Sequence, residues 1–293
     1  MRSVFVLALA LGAWTLPAQQ DTVQARAAYE QGRAAMRDRK FDDAVKAFER
    51  AVELNPRSSE YHVWLGHGYT RQLATANFMR KGIIGRRIGG EYNKAVELDP
   101  NSIPAAEARL EFFLEAPGIA GGGEDKARAE AGRIHGLSPY YGGFAQAKIA
   151  EKGKDWGKAE SEYRSLVRAY PDSSRPVVAL ATLLQNQERY KDAFAVIDER
   201  LARSPNDTIA LYQLGRVAAL SGEELTRGEE ALRKFLALLG TVEPLSRANA
   251  HYRLGMIREK QHDPAGARVQ YDSALVLYPR YTDALAAKKR LEK

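Results

Sequence analysis

Five histidines and a glycine-rich segment are the residues whose types first suggest chemistry in this sequence. His62 and His67 lie five positions apart, and His135, His251 and His262 are isolated. None of them forms the i, i+4 histidine pair, with a glutamate beside it, that binds zinc on a protease helix. The sequence also contains no cysteine, which excludes disulfides, thiolate nucleophiles and cysteine-ligated metals within it. We therefore expect no metal site.

The glycine-rich segment at residues 118–123 is a candidate for a phosphate-binding loop. Such a loop reads Gly-x4-Gly-Lys-Ser/Thr, because backbone N–H groups and the lysine hold the phosphates. Here Gly123 is followed by Glu124, Asp125 and Lys126, so the lysine is displaced and two carboxylates would repel phosphate. A Gly-x-Ser-x-Gly nucleophile motif is also absent. The sequence predicts a tight bend, no catalytic residue, no cofactor, and a protein that is not an enzyme.

A basic segment occupies residues 77–91. Arg80, Lys81, Arg86 and Arg87 stand there among a phenylalanine and three isoleucines, with no acidic residue before the last position. Clustered cations with apolar neighbours could bind an anionic lipid surface or polymer. Four glycines in the same segment weaken any helix by about 1 kcal/mol each relative to alanine. We therefore expect a mobile, solvated bend whose isoleucines dock on a neighbouring element, and a binding surface is the alternative.

The overall composition is that of a folded globular protein with a basic balance. Hydrophobic residues make up 45% and charged residues 28%, the formal net charge is +7, and the isoelectric point is near 9.4. A basic balance favours anionic partners. Solvated helix faces are the simpler explanation for most of it.

The first eighteen residues have the parts of a secretory signal. Arg2 precedes an apolar run from Val4 to Leu11, and Leu16-Pro17-Ala18 follows. The run is shorter than the roughly 20 residues that a membrane-spanning helix needs. We therefore expect residues 1–18 to be a signal peptide and the protein to be exported, to the periplasm or beyond the cell. No other segment is apolar enough to predict an integral membrane span.

Small residues, a large apolar residue and a proline recur at fixed offsets along the rest of the chain. The small residues allow two antiparallel helices to approach to about 8–10 Å, and the proline ends the second helix because it cannot continue the hydrogen-bond ladder. One such hairpin cannot bury its apolar stripe alone, so hairpins must stack. The recurring positions are Gly32, Ala44, Phe48, Ala51 and Pro56; Ala147, Ala159, Tyr163 and Pro171; Leu180, Ala181, Ala193, Ile197 and Pro205; and Leu254, Gly255, Ala267, Tyr271, Ala274 and Pro279.

This pattern resembles the tetratricopeptide repeat (TPR) family, whose unit of about 34 residues is a helical hairpin. The resemblance implies an all-α fold, a right-handed superhelical stack of about seven hairpins with a C-terminal capping helix. It also implies a single solenoid domain over residues 19–293. The expected repeats are 25–58, 59–102, 103–139, 140–173, 174–207, 208–247 and 248–281, with the cap at 282–293.

Three of these repeats depart from the pattern: the second and third contain the segments at residues 77–91 and 116–123, and the sixth contains extra residues near 221–224. We expect all three segments to lie at the bends between helices. Insertions at one edge of a repeat stack often mark a binding edge, and sequence drift is the alternative.

The resemblance also implies that the first helices line a concave groove. Aromatic residues beside cations would suit binding there, and packing between hairpins is the alternative for each residue. The family's known carboxylate clamp places lysine and asparagine where Tyr29 and Arg33 stand, so that clamp is not expected. The candidate partner-binding residues are Tyr29, Arg33, Arg37, Tyr141, Phe144, Lys148, Lys152, Tyr212, Arg216, Tyr252 and Lys260.

The resulting functional hypothesis is an exported scaffold without catalysis. It would bind a protein segment or an extracellular polymer through its groove. The alternative is a binder of an anionic surface or polymer, such as lipid or nucleic acid, through the basic residues at 80–87. Nucleic acid is disfavoured as a partner because an exported protein would rarely meet it.

Overall fold

A computed structural model describes residues 17–239 and 244–292. Within those ranges the chain forms fifteen α-helices and one short 3-10 helix, η1, with no β-strand. The prediction of an all-α fold of helical hairpins is confirmed. The elements are α1 (Pro17–Arg37), α2 (Phe41–Leu54), α3 (Ser59–Thr75), α4 (Phe78–Leu98), α5 (Ile103–Glu115), η1 (Gly118–Ala120), α6 (Glu124–Leu137), α7 (Pro139–Lys152), α8 (Trp156–Ala169), α9 (Ser174–Asn186), α10 (Tyr190–Arg203), α11 (Thr208–Ser221), α12 (Leu225–Leu239), α13 (Pro244–Lys260), α14 (Pro264–Leu277) and α15 (Thr282–Arg290).

The chain divides into two compact units, of which the first ends at Lys152 and the second begins at Gly153. In the first unit α1 pairs with α2, α3 with α4 and α5 with α6, and each hairpin packs on the next. A small residue on the first helix meets a large ring on the second. A Cβ added to Gly32 would lie 2.5 Å from the Phe48 ring, and Gly66 meets Tyr92 in the same way. Each aromatic ring therefore fills the contact inside its own hairpin.

The second unit repeats this arrangement with α9 and α10, α11 and α12, and α13 and α14. Gly215 meets the Leu232 side chain, and Gly255 meets the Tyr271 ring. The last helix, α15, packs on α14 and buries Ala284 and Ala287, as expected of a capping helix. The prediction that residues 19–293 form one domain stays a prediction.

Many helices begin at a residue whose side chain accepts a backbone hydrogen bond from the first turn. Such caps satisfy N–H groups that have no partner inside the helix, and each stabilises its helix by about 1 kcal/mol. The capping residues are Ser58, Asn77, Ser102, Asp155, Asp207 and Asp263.

A row of ion pairs connects successive hairpins of the second unit. In each pair the acid comes first along the chain and the arginine follows 29 or 31 residues later. Exposed pairs of this kind stabilise a protein by only about 0–1 kcal/mol each. Their regular spacing instead defines which helix turns face each other. The pairs are Glu160–Arg189, Asp198–Arg227, Glu229–Arg258 and Glu259–Arg290.

The basic segment at residues 77–91 is helical, so the prediction of a mobile bend there is wrong. Because this segment is helical, α4 is 21 residues long, whereas α2 has 14 residues. Ile84 and Ile88 are buried, and a Cβ on Gly89 would lie 2.6 Å from the Phe112 ring. Burying each isoleucine stabilises the helix by about 1.5–3 kcal/mol, which offsets the roughly 1 kcal/mol that each glycine costs.

The glycine-rich segment at 116–123 does form the expected bend. Gly121 and Gly123 adopt φ angles of 100° and 141°, which residues with a Cβ atom rarely adopt.

Of the predicted signal segment at residues 1–18, the first sixteen residues lie outside the described residues. Across the described ranges, no helix combines the length and the apolar character needed to cross a membrane.

Candidate partner-binding surface

The first of the candidate residues on α1, Tyr29, does not reach solvent. It is only 1% exposed, its ring stacks on Tyr61 with 5.0 Å between centroids, and its hydroxyl donates to Glu60 Oε1 at 2.5 Å. Burial, together with the hydrogen bond to Glu60, raises the pKa of Tyr29 well above its usual range. Rings from α2 and α3 enclose this side chain, so it packs between hairpins and the expectation of a ligand-facing Tyr29 is wrong.

The two candidate arginines of α1, Arg33 and Arg37, remain accessible. The guanidinium of half-buried Arg33 lies over the rings of Tyr29 and Trp64, 5.7 and 5.3 Å from their centroids, and 3.7 Å from a Glu30 oxygen. A cation above an aromatic face is attracted to the negative side of the ring quadrupole. Arg37, about one turn further on, is exposed. This end of α1 therefore presents cations, one of which is held by aromatic rings.

The aromatic candidates of α7 divide in the same way. Phe144 is buried, with its ring centroid 5.2 Å from that of Tyr140. This burial favours the packing alternative for Phe144 over a ligand-facing position. Tyr141 is only half-buried, and its ring meets Tyr140 edge-on at 5.1 Å.

The two lysines of α7 are paired with carboxylates of α5. Lys148 forms an ion pair with Glu111, and Lys152 Nζ lies 2.9 Å from Glu115 Oε2. Both pairs lie at the surface, where water weakens the attraction between charges. The net positive charge that these lysines present to a ligand is therefore smaller than the sequence alone implies.

In the second unit the structure gathers arginines and tyrosines from α11, α13 and the start of α15. We call these residues, Tyr212, Arg216, Tyr252, Arg253 and Tyr281, the arginine–tyrosine cluster. All five are half-buried. The Arg253 guanidinium lies 5.3 Å from the Tyr252 centroid, and the Tyr252 and Tyr281 rings lie 5.1 Å apart.

The two arginines of this cluster have only neutral acceptors. Arg216 Nη1 lies 3.2 Å from Thr182 Oγ1 and 3.4 Å from Gln213 Oε1. Arg253 Nη1 donates only to the weakly accepting sulfur of Met256, at 3.1 Å, and its buried Nε has no hydrogen-bond partner within the described ranges. A guanidinium has five N–H donors, so both side chains keep unused donor capacity.

No carboxylate of the described residues lies within ion-pair distance of either arginine. Arg200, a more deeply buried arginine of the same unit, pairs with Asp207 at 2.6 Å. The negative charges of Asp283 and Glu259 raise the pKa of Tyr252, and that of Asp283 also raises the pKa of Tyr281. Glu259 is itself bonded to Arg290. The cluster is therefore cationic without internal compensation.

The pKa shifts in the cluster reflect this uncompensated charge. Burial lowers the pKa of the Arg216 guanidinium, and the like charge of Arg253 lowers it further. Burial raises the pKa of both Tyr252 and Tyr281, and the positive charge of Arg253 opposes the rise. Arginine stays protonated despite such shifts, so the site keeps two positive charges in a poorly hydrated position.

Sequence reasoning found three members of the cluster and missed two. Tyr212, Arg216 and Tyr252 stand at predicted groove positions, whereas Arg253 and Tyr281 do not. Arg253 neighbours Tyr252 in the chain, and Tyr281 opens the capping segment. A search for cations adjacent to the predicted aromatic positions would have found Arg253. The remaining candidate, Lys260, is exposed beside Gly222.

Among the histidines, His62 is held in the core of the first unit. Its Nδ1 lies 2.6 Å from Glu91 Oε2, and its Nε2 lies 3.0 Å from the Pro56 carbonyl oxygen. Burial opposes protonation, but the hydrogen bonds to Glu91 and Pro56 outweigh it and raise the pKa of His62. Across the described ranges, no three or more histidine and acidic side chains are arranged to hold a metal ion.

Helical hairpins joined through small-residue and aromatic contacts define the class of helical repeat proteins. Two segments, residues 24–67 and 142–173, match models of the tetratricopeptide repeat family. These two segments of the chain are therefore similar to tetratricopeptide repeats, and the helical hairpins around them have the fold of such repeats.

Several solved structures are similar to this chain. A tetratricopeptide repeat protein from Parabacteroides merdae ATCC 43184 matches at 14% identity and a TM-score of 0.52, over 92% of this chain and 100% of that one. YrrB, described as a TPR protein with an unusual peptide-binding site, matches at 18% identity and a TM-score of 0.41, over 84% and 99% of the two chains. MamA matches at 17% identity and a TM-score of 0.42, over 51% and 78%. None of the curated proteins matches the sequence.

Proposed function

We propose that this protein is an exported, non-catalytic scaffold that binds an extended protein segment carrying carboxylates at the arginine–tyrosine cluster. The observation that carries the proposal is the pair of half-buried arginines, Arg216 and Arg253, without a carboxylate partner among the described residues. A guanidinium taken partly out of water loses hydration, and a carboxylate restores two hydrogen bonds at once. An acidic ligand would therefore supply the carboxylate partners that Arg216 and Arg253 lack among the described residues.

The tyrosines of the cluster support the same ligand. Tyr212, Tyr252 and Tyr281 combine apolar ring area with a hydroxyl, and side chains of this kind are enriched in binding interfaces. Their rings would bury the apolar side chains that alternate with acids in an extended segment. Because helices hold these residues, little conformational entropy is lost when the ligand binds.

Selection from a random peptide library on the immobilised full chain tests the proposal. We expect enrichment of peptides that contain aspartate or glutamate beside apolar residues. Arg216→Gln plus Arg253→Gln should weaken their binding by about 100-fold, since each charge-assisted contact contributes about 1.5 kcal/mol or more.

The matched control removes two exposed cations of the same unit, Arg203→Gln plus Arg268→Gln. We expect it to bind the selected peptides as the original chain does. If both double variants bind them equally, the arginine–tyrosine cluster is not the binding site. Competition by alginate, which presents carboxylates without a peptide backbone, tests the alternative of an extracellular polymer.

A further inference from the structure

The exposed side of α4 is a second cationic surface, separate in the chain from the arginine–tyrosine cluster. Arg80, Lys81, Arg86 and Arg87 are all exposed, and α4 contains no acidic residue before Glu91. Only Arg87 has a carboxylate nearby, at 3.7 Å from Glu49, within the part of the chain that the structure describes. The other three cations are therefore available to an external anion.

The helical geometry puts most of these cations on one face. Successive helix residues are rotated by about 100°, so Arg80, Arg86 and Arg87 lie on the same side as Ile83. The buried side, formed by Ile84 and its neighbours, faces the core. We call Arg80, Ile83, Arg86 and Arg87 the basic face of α4.

An exposed isoleucine distinguishes this surface from a plain charged helix. Ile83 is 52% exposed within the basic face. Large apolar side chains beside cations suit a lipid interface, where the cations contact headgroup phosphates and the apolar groups enter the acyl boundary. A nucleic-acid backbone offers no comparable place for isoleucine.

We propose that the basic face of α4 docks the protein on a membrane surface containing anionic phospholipid. The proposal goes beyond binding at the arginine–tyrosine cluster, because it uses different residues and a different kind of partner. It also accounts for the length of α4, whose added turns carry Arg80 and Ile83.

Co-sedimentation of the full chain with vesicles of equal parts phosphatidylglycerol and phosphatidylcholine tests this proposal. Arg80→Gln plus Arg86→Gln should weaken binding by about 30-fold, since each basic residue at an anionic surface contributes about fivefold. Ile83→Gln should weaken it by about tenfold through lost apolar burial. Glutamine is a good helix former, so we expect α4 to persist.

The control double variant is Lys46→Gln plus Arg57→Gln, which removes two exposed cations elsewhere in the first unit. We expect it to bind the vesicles as the original chain does. Residues 1–18 are present in all variants, so their contribution cancels when the vesicle affinities are compared as ratios. Equal binding by both double variants overturns the proposal. So does an unaffected Ile83→Gln variant, particularly if a double-stranded oligonucleotide binds with the same dependence on Arg80 and Arg86. The Arg80→Gln plus Arg86→Gln variant should bind the selected peptides unchanged. Failure of membrane docking can therefore be distinguished from failure of peptide binding at the arginine–tyrosine cluster.

Discussion

Two adjacent glycines in α4 should respond differently to the same substitution. At Gly90 nothing lies within 4 Å of an added Cβ, whereas at Gly89 the added atom would lie 2.6 Å from the Phe112 ring. Alanine at Gly90 should stabilise the protein by about 0.5–1 kcal/mol, because glycine loses more backbone freedom on folding.

Alanine at Gly89 gives the same stabilisation from reduced backbone freedom, but its Cβ must displace the Phe112 ring. Phe112 is buried, and the rings of Tyr92 and Phe113 lie 6.4 and 5.9 Å away, which restricts its movement. Overpacking of this kind costs about 1–3 kcal/mol. We therefore expect Gly89→Ala to be less stable than Gly90→Ala by about 1–3 kcal/mol, and less stable than the original chain at the upper end of that range.

Urea denaturation followed by far-ultraviolet circular dichroism measures this difference. The midpoints of the two variants are compared at equal m-value, because a repeat protein can lose cooperativity between its hairpins. Gly82→Ala, also in open space, should behave like Gly90→Ala. If Gly89→Ala and Gly90→Ala raise the midpoint equally, α4 does not pack on Phe112 as described, and the close glycine–aromatic contact is refuted.

Two further predictions concern charged groups in the cores. Asp207→Ala should destabilise the second unit by about 3 kcal/mol or more in urea denaturation, because Arg200 would stay buried without its partner; a loss below about 1 kcal/mol would contradict a buried pair. Because the pKa of His62 is raised in the folded protein, its pairing with Glu91 stabilises below the unfolded pKa of about 6.5 and is lost as pH rises through the folded value. The denaturation midpoint should therefore decrease as the pH rises from about 6.5 through the raised folded pKa of His62. A His62→Gln variant whose midpoint decreases equally would show that another group causes the change.

The hairpin architecture could be predicted because the contacts that define it are local and recur. A small residue such as Gly32 and a ring such as Phe48 belong to one hairpin, so their spacing is visible in the sequence. The helicity of residues 77–91 could not be predicted, since glycine propensity counts against it. What outweighs that propensity is tertiary: Ile84 and Ile88 lie in a core formed with neighbouring helices.

The candidate surface could be predicted only in part, for a related reason. Repeat position indicates which side of a first helix a residue occupies, and it predicts Arg216 and Tyr252 as members of one surface. It does not indicate how closely the next helix approaches, so it leaves groove and packing positions open for Tyr29 and Phe144, which are buried. The absence of a carboxylate beside Arg253 among the described residues depends on several helices, which spacing along the chain does not reveal.

The row of ion pairs in the second unit has a direction, because every acid bonds to an arginine further along the chain. Its last arginine, Arg290, lies on the capping helix α15 and pairs with Glu259 of α13. The cap is therefore joined to the last hairpin by charge as well as by its packing on α14. A chain shortened before α15 would leave Glu259 without this arginine and would expose the face of α14 that Ala284 and Ala287 cover.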